Sequence, residues 1–447
     1  MREDFLHYLW RLARFDLRNL ATTEGEPLTI QQFGNHNTDA GPDFDEARLR
    51  IGGLQWAGKV EMHLNSSEWY DHGHDRDPAY DGVILHVVLE EDRVVYRRDG
   101  SRIPCLVLEG RIPPGVRRTY WRLMHNEAWV PCQERVTEVS AAVRAIWLQR
   151  VVVERLNKRM ADFSLRLTNC QRDWEESFYR TLARAMGGRV NAQPMEMLAA
   201  SLPLRILLRH KHSLLQLEAL LFGQSGLLPA ESAEEDGYVK RLRREYMLLR
   251  VKYDLRPVPS TAWKFLRMRP NNFPTVRIAQ LACLYYRSGQ LFGKSLAAAD
   301  VKELENMYDI GLSNYWRTHY RFTTEAGSTS ERRLGKEMIH SILINAVAPA
   351  YYTYAAMRGE ERYRDRALEL LEALPPERNA VVRKWQSMGW EASSAAESQA
   401  LLELKKEYCE PTRCTSCAVG CTLLDRDDGG LPLLTVHEPG RRYGLVG

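Results

Sequence analysis

A chain of 447 residues is longer than one ordinary hydrophobic core serves, so two or more domains are expected. With 44% hydrophobic and 27% charged residues it has the composition of a globular protein, which excludes a disordered one. A net charge of +4 from 62 basic and 58 acidic residues neither requires nor excludes a nucleic-acid partner, and no run of about 18 apolar residues predicts a membrane span.

Met1-Arg2-Glu3-Asp4 carries acids and the first apolar run breaks early, so no secretory signal is expected and a cytoplasmic location is the default. Residues 3–14 read as an amphipathic helix with Leu6, Leu9, Trp10 and Ala13 on one face. A β-rich stretch follows. Leu28–Phe33 is a strand candidate; Ala47, Leu49 and Ile51 alternate with polar residues; Gly52-Gly53 signals a turn; Trp56–Leu64 alternates again. Val83–Leu89 is almost continuously apolar, as a strand buried on both faces would be. Arg93–Arg97 and Cys105–Leu108 are expected to pair across an Asp99-Gly100 hairpin. After Ile112-Pro113-Pro114-Gly115 the periodicity turns helical, over Ala141–Asp162, Trp174–Met186, Pro194–Ser201, Leu204–Phe222, Gly237–Tyr253, Val276–Arg287, Leu334–Tyr354 and Tyr363–Leu371. The expected division is an α/β domain over 1–115, a larger all-α domain over 116–408, and a cysteine-rich metal-binding loop and tail over 409–447.

Chemistry concentrates in two places. Gly41-Pro42-Asp43-Phe44 sets an aspartate just after a turn, and Glu61-x-His63 lies 18 positions further on in a strand-like run. On a strand, residues two apart share a face. Glu61, His63 and Asn65 therefore point to one side, joined by whatever Asp43 presents from the adjoining strand. Carboxylates bind a divalent cation, which lowers the pKa of water and shields a phosphate; Asn65 would orient water or phosphate. His36, His72-Gly73-His74 and His86 add ligand-type residues nearby. The plain alternatives are a turn aspartate, a polar loop, and for His86 a core histidine hydrogen-bonded to a neighbour.

The order helix, strand, aspartate, strand, Glu-x-(basic), buried strand resembles the PD-(D/E)XK nuclease superfamily over roughly residues 1–110. That resemblance implies a restriction-endonuclease-like α-β-β-β-α-β core, with Asp43 as the motif aspartate and Glu61 as the motif acid. It also implies Mg2+ or Mn2+ and phosphodiester hydrolysis in DNA or RNA. His63 stands where the motif lysine belongs, as a third ligand, a general base or the mark of a dead site. The metal candidates are Asp43, Glu61, His63, His72 and His74; the catalytic candidates are Asp43, Glu61, His63 and Asn65. The whole chain also resembles an uncharacterised bacterial family, a domain of unknown function. The resemblance rests on residues 41–44, 60–63, 66–69, 84–88, 272–280 and 409–417. It implies no activity, and Asn65 stands where a lysine is common in that family.

The second place is Cys409-x4-Cys414-x2-Cys417-x3-Cys421, which has the spacing of a four-thiolate site for Zn2+ or a 4Fe–4S cluster. It resembles the compact cysteine loops that close helical domains in some DNA glycosylases, and a structural role is expected. Cys132, after Pro131, is the alternative to Cys421 as fourth ligand. Between the two lies Ser260–Gln280, where aromatics interleave with Arg267, Arg269, Asn271 and Arg277. Such a stretch grips a nucleic-acid strand by stacking and phosphate contact, or else packs helices together. The expected partner is nucleic acid, DNA before RNA, with no membrane. The function read from this is a metal-dependent nuclease. One alternative is a degenerate nuclease fold that binds nucleic acid without cutting it. The other is a histidine-rich small-molecule metallohydrolase, favoured by a transition metal on Glu61, His72 and His74.

Overall fold

Apolar spacing sets the first element. Helix α1 (Glu3–Arg11) buries Phe5, Leu6, Leu9 and Trp10 and opens with acids in its first turn, where the helix dipole favours them. It stops short of the expected residue 14 because Ala13 takes a positive φ of 52°. The structure, a computed structural model, describes residues 1–37, 39–231, 236–322, 324–325 and 332–427.

Strands β1 (Leu28–Gln32), β2 (Asn35–His36), β3 (Phe44–Ile51), β4 (Leu54–Asn65), β5 (Val83–Glu90) and β6 (Cys105–Val107) form one sheet in the order β1-β3-β4-β5-β6, with β2 also on β3. The β1–β3 and β3–β4 pairs are antiparallel; β4–β5 and β5–β6 are parallel. Gly52 and Gly53, at φ +56° and +89°, make the tight β3–β4 turn that the sequence signals. β5, with β4 and β6 parallel on its two edges, is buried from Val83 to Val88, so both faces of the sheet are covered there. One pairing differs from expectation. The Asp99-Gly100 turn keeps the Tyr96–Arg102 bridge and the amide bonds from Arg97 to Ser101 and from Ile103 to Val95, while Cys105–Val107 leaves the hairpin to lie parallel to β5. There Cys105 and Leu106 bury their side chains.

The chain divides into two compact units, and not at 115/116 or 408/409. The first comprises 1–148, 383–391 and the chain from 401; the second comprises 149–382 and 392–400. The cysteine segment thus belongs with the sheet, because its flanks pack there. The Tyr8 hydroxyl donates to Asp425 at 2.7 Å, the Arg14 guanidinium lies 2.8 Å from the same carboxylate, and the Trp385 indole donates to the Leu401 carbonyl. Within the first unit, α2 (Glu68–Asp71) links β4 to β5, and α3 (Pro114–Met124) and the start of α4 (Ala141–Asn169) follow the sheet. Of the expected loop and tail over 409–447, residues 428–447 lie outside the described residues.

The second unit is helical. Trp174–Met186 and Gly237–Tyr253 run as expected. The single helix expected over Leu204–Phe222 is two, because Ser213 caps a new helix by accepting from the Gln216 amide. Leu334–Tyr354 is interrupted by a π-helical turn at Leu343–Val347. Glu218 is buried in this unit, accepting hydroxyls from Ser313 at 2.6 Å and Tyr238 at 2.9 Å, and burial pushes its pKa up to about 6. A raised carboxyl pKa means that the stability it contributes is complete below its ordinary 4.5 and lost as pH rises through about 6. The wild type should therefore lose about 2 kcal/mol relative to Glu218→Gln between those limits. Denaturant unfolding of both proteins across that range measures it; parallel pH curves would refute it.

Candidate metal centre

Strand register builds the site. Asp43 lies one residue before β3, whose Phe44 pairs with Val60 on β4. The Asp43 amide donates to Glu61 Oε2 at 3.1 Å, and the Met62 amide donates to Asp43 Oδ2 at 2.9 Å. Two adjacent strands thus hold the two carboxylates by reciprocal backbone bonds. From α1, His7 sets its Nε2 3.2 Å from Asp43 Oδ2. After β4, Ser66 and Ser67 bond to the Asp92 carboxylate, and the short helix α2 reverses the chain. Gly73, at φ +75°, then separates His72 from His74, and the His74 amide bonds to the Trp69 carbonyl at 3.0 Å. This turn folds both histidines over β4.

The result is a convergence of four donors. His63 Nε2 lies 3.1 Å from His72 Nδ1 and 3.6 Å from Glu61 Oε1, and His74 Nε2 lies 3.3 Å from the same Glu61 oxygen. The three histidines each offer a ligand atom within 4.8 Å of the others. Glu61 and His63 are buried, His74 nearly so, and His72 is exposed. Behind them, His63 Nδ1 meets His86 Nε2 at 2.8 Å, and Tyr80 stacks on His74 at 3.7 Å between centroids.

Burial keeps the His63 and His86 imidazoles neutral. Burial first, then the neighbouring histidines, pushes His63 down to about 2; burial likewise takes His86 down to about 3. Burial raises the Glu61 pKa, against the contact with His74. At His7 burial pulls the pKa down, but the hydrogen bond and charge of Asp43 outweigh it and the net shift is upward. Neutral nitrogens and a carboxylate facing one another at this range repel unless a proton or cation lies between them. His74 Nε2 is buried and faces the Glu61 carboxylate at 3.3 Å. The second nitrogen of His63 bonds to His86, as the outward nitrogen of a metal-ligating histidine does. The donor set therefore fits a metal ion, and its nitrogen content suits a transition ion better than Mg2+.

Of the residues singled out in the sequence, Glu61, His63, His72 and His74 come together, with Asp43 beside Glu61. Asn65 turns away to donate to Glu68 Oε1 at 3.3 Å. His86 is the hydrogen-bonded core histidine that was expected, and its partner is His63. His7 was missed; its only signal was its i,i+4 spacing from Glu3 on the polar side of α1. In the helical unit Arg277 is buried, bonded to Gln280 at 2.7 Å and Asn272 at 2.6 Å, and burial pulls its pKa down to about 10. Arg267, Arg269 and Asn271 are exposed. Phe265 and Phe273 pack under the Arg321 guanidinium, at 4.4 and 4.8 Å. Cys409, Cys414 and Cys417 lie near Cys132, and Cys421 lies near Cys414 and Cys417, its thiol donating to the Thr415 carbonyl at 3.2 Å.

The model of a family described as "Protein of unknown function (DUF2851)" matches residues 3–380, a span that holds every residue of the histidine site and ends before Cys409. No curated protein and no solved structure matches the chain. Among the described residues no helix is long and apolar enough to cross a membrane.

Proposed function

The chain belongs to this DUF2851 family, whose description names no activity, and from the site itself we propose that it is a metal-dependent hydrolase of phosphodiester bonds. One observation carries the reading: Glu61, His63, His72 and His74 bring one oxygen and three nitrogens together on a buried floor with one exposed side. The phosphodiester is supported by the element order. α1, then β1, the two-residue β2, β3 and β4, then α2 and the parallel strand β5 resemble the α-β-β-β-α-β order of PD-(D/E)XK nucleases, in which Asp43 and Glu61 would take the motif places.

Glu61, His63, His72 and His74 would hold the ion, with Zn2+, Fe2+ or Mn2+ favoured over Mg2+ by the imidazoles. Such an ion supplies positive charge that acidifies water and offsets the charge of a phosphate. The protein's own contribution lies beside it. Asp43 orients His7, and His7, its proton affinity raised by that carboxylate, holds a proton to deliver to a leaving oxygen. His86 and Tyr80 fix the rings of His63 and His74.

The test is hydrolysis of single- and double-stranded DNA and RNA with Zn2+, Mn2+, Fe2+ or Mg2+, beside Asp43→Ala and Glu61→Ala. Cleavage by the wild type alone is expected. Equal activity, or equal inactivity, in the three proteins refutes the catalytic reading. The nitrogen-rich donor set favours one second reading, a small-molecule metallohydrolase: a metal-loaded wild type that spares every nucleic acid yet hydrolyses a simple aryl phosphate or ester would select it. Retention of DNA without cleavage would select a binding protein.

A further inference from the structure

The helical unit holds a cavity of about 360 Å3, lined entirely by its own residues. Along α4, Arg159, Asp162, Phe163 and Arg166 recur at the i, i+3, i+4, i+7 spacing of one helix face. A helix face turned into its own unit is ordinarily apolar. Here three of the four positions are charged, and together they form one wall of the cavity. Helix Trp174–Met186 adds Arg184 and Ala185, and helix Gly188–Ser201 adds Gly188, Arg189 and Ala192. The two alanines and the glycine leave the space open. Asn345 and Pro349 complete it from the π-helical turn at Leu343–Val347 and the residues after it. Such widened turns recur at functional sites.

Four guanidiniums therefore line one cavity: Arg159, Arg166, Arg184 and Arg189. Like charges brought together away from bulk water repel unless anions lie among them. Three carboxylates answer them in part. Glu196 stands between two arginines, accepting Arg166 Nε at 2.5 Å on one oxygen and Arg184 Nη1 at 2.6 Å on the other. Asp162 and Glu377 lie in the wall, and Glu377 is already engaged by the Gln399 side-chain amide. Four cations against three anions leave positive charge in excess. They also leave hydrogen-bond donors in excess. A guanidinium carries five N–H groups in a rigid fork. Arg166 commits its Nε to Glu196 and its Nη1 to the Asp162 carbonyl at 3.2 Å, and Arg184 commits its Nη1 to Glu196. By gripping both, Glu196 fixes their remaining donors in place before any ligand arrives.

We propose that this cavity binds a phosphorylated small molecule, between a sugar phosphate and a mononucleotide in size, with its phosphate against the arginine wall. A phosphate group offers three terminal oxygens and close to two negative charges, so it can engage several guanidiniums at once, where a carboxylate offers two oxygens and one charge. The volume sets the size. Small-molecule sites run from about 300 to 1,000 Å3, so this one is too large for a bare phosphate and sits at the small end for an organic ligand. Phe163, Ala185 and Ala192 give the organic part an apolar wall. None of these residues belongs to the histidine site, and the proposal stands whether or not that site is catalytic.

The experiment is calorimetric titration of the full chain with AMP and ribose 5-phosphate, beside uncharged adenosine and ribose, in a chelator that keeps metal off the histidine site. At least one phosphate ester is expected to bind and its uncharged counterpart is not; which ester binds tells a nucleotide from a sugar phosphate. Arg184→Gln and Arg189→Gln should each weaken binding by about 10-fold or more, the effect of losing a hydrogen bond to a charged group. Ala185→Leu, which fills the cavity, should abolish it. Arg241→Gln, on the exposed face of helix Gly237–Tyr253, should bind like the wild type. Binding of neither ester, equal binding of an ester and its uncharged counterpart, or the same loss in Arg241→Gln as in Arg189→Gln overturns the proposal. Arg189 is exposed, so its replacement leaves the fold intact, and the wild-type contrast stands even if Arg184→Gln or Ala185→Leu fails to fold.

Discussion

Replacing His63 with alanine should weaken transition-metal binding by well over about 100-fold. Loss of an outer partner of a metal-bound histidine already costs about 10–100-fold, which is the effect expected of His86→Phe. His63 is the central donor, 3.1 Å from His72 and 3.6 Å from Glu61, and removing it leaves Glu61, His72 and His74 without the donor between them. The loss appears in two ways. Chelator competition gives the affinity directly. In a melting experiment, metal at about 100 times its Kd should stabilise the wild type by about 2.7 kcal/mol and leave His63→Ala unmoved. A variant that binds and is stabilised like the wild type would eliminate the histidine centre, and with it the proposed hydrolase.

Gly420→Ala should be among the most destabilising small substitutions in the chain. The added Cβ would lie 2.1 Å from the Cys414 carbonyl oxygen, 2.8 Å from its carbon and 3.0 Å from its Cα. These are backbone atoms, so no rotamer change relieves the contact. Overpacking costs about 1–3 kcal/mol, and a backbone clash belongs at the upper end. The only relief is movement of the Cys414 turn, so the denaturation midpoint should fall. Gly335 is the control: nothing lies within 4 Å of its Cβ position, and alanine there should be nearly neutral. Equal stability of the two variants would refute the close-packing account of the cysteine loop.

Much of the local structure was legible in the residues. The i, i+2 rule placed Glu61 and His63 together on β4, the almost continuous apolar run of β5 gave its burial on both faces, and Gly52-Gly53 gave the β3–β4 turn. Parity failed at Asn65, because the nearby Glu68 offered its side chain a hydrogen bond. Arg277 looked like a phosphate contact on composition, yet burial and two side-chain partners make it a packing residue.

By itself, then, the sequence determined which residues share a strand or helix face, and that ligand-type residues cluster around 43–74 and 409–421. Tertiary structure decided which segment covers each face. Only the folded chain brings His7 from the first helix to Asp43, and sets Cys132 beside cysteines beginning at Cys409. It likewise returns residues 401–427 to the N-terminal unit. Periodicity reports the direction of a side chain relative to its own backbone, over one turn or one pleat. The partner across a face is chosen by burial and hydrogen bonding between segments that may be hundreds of residues apart, and no local spacing records that choice.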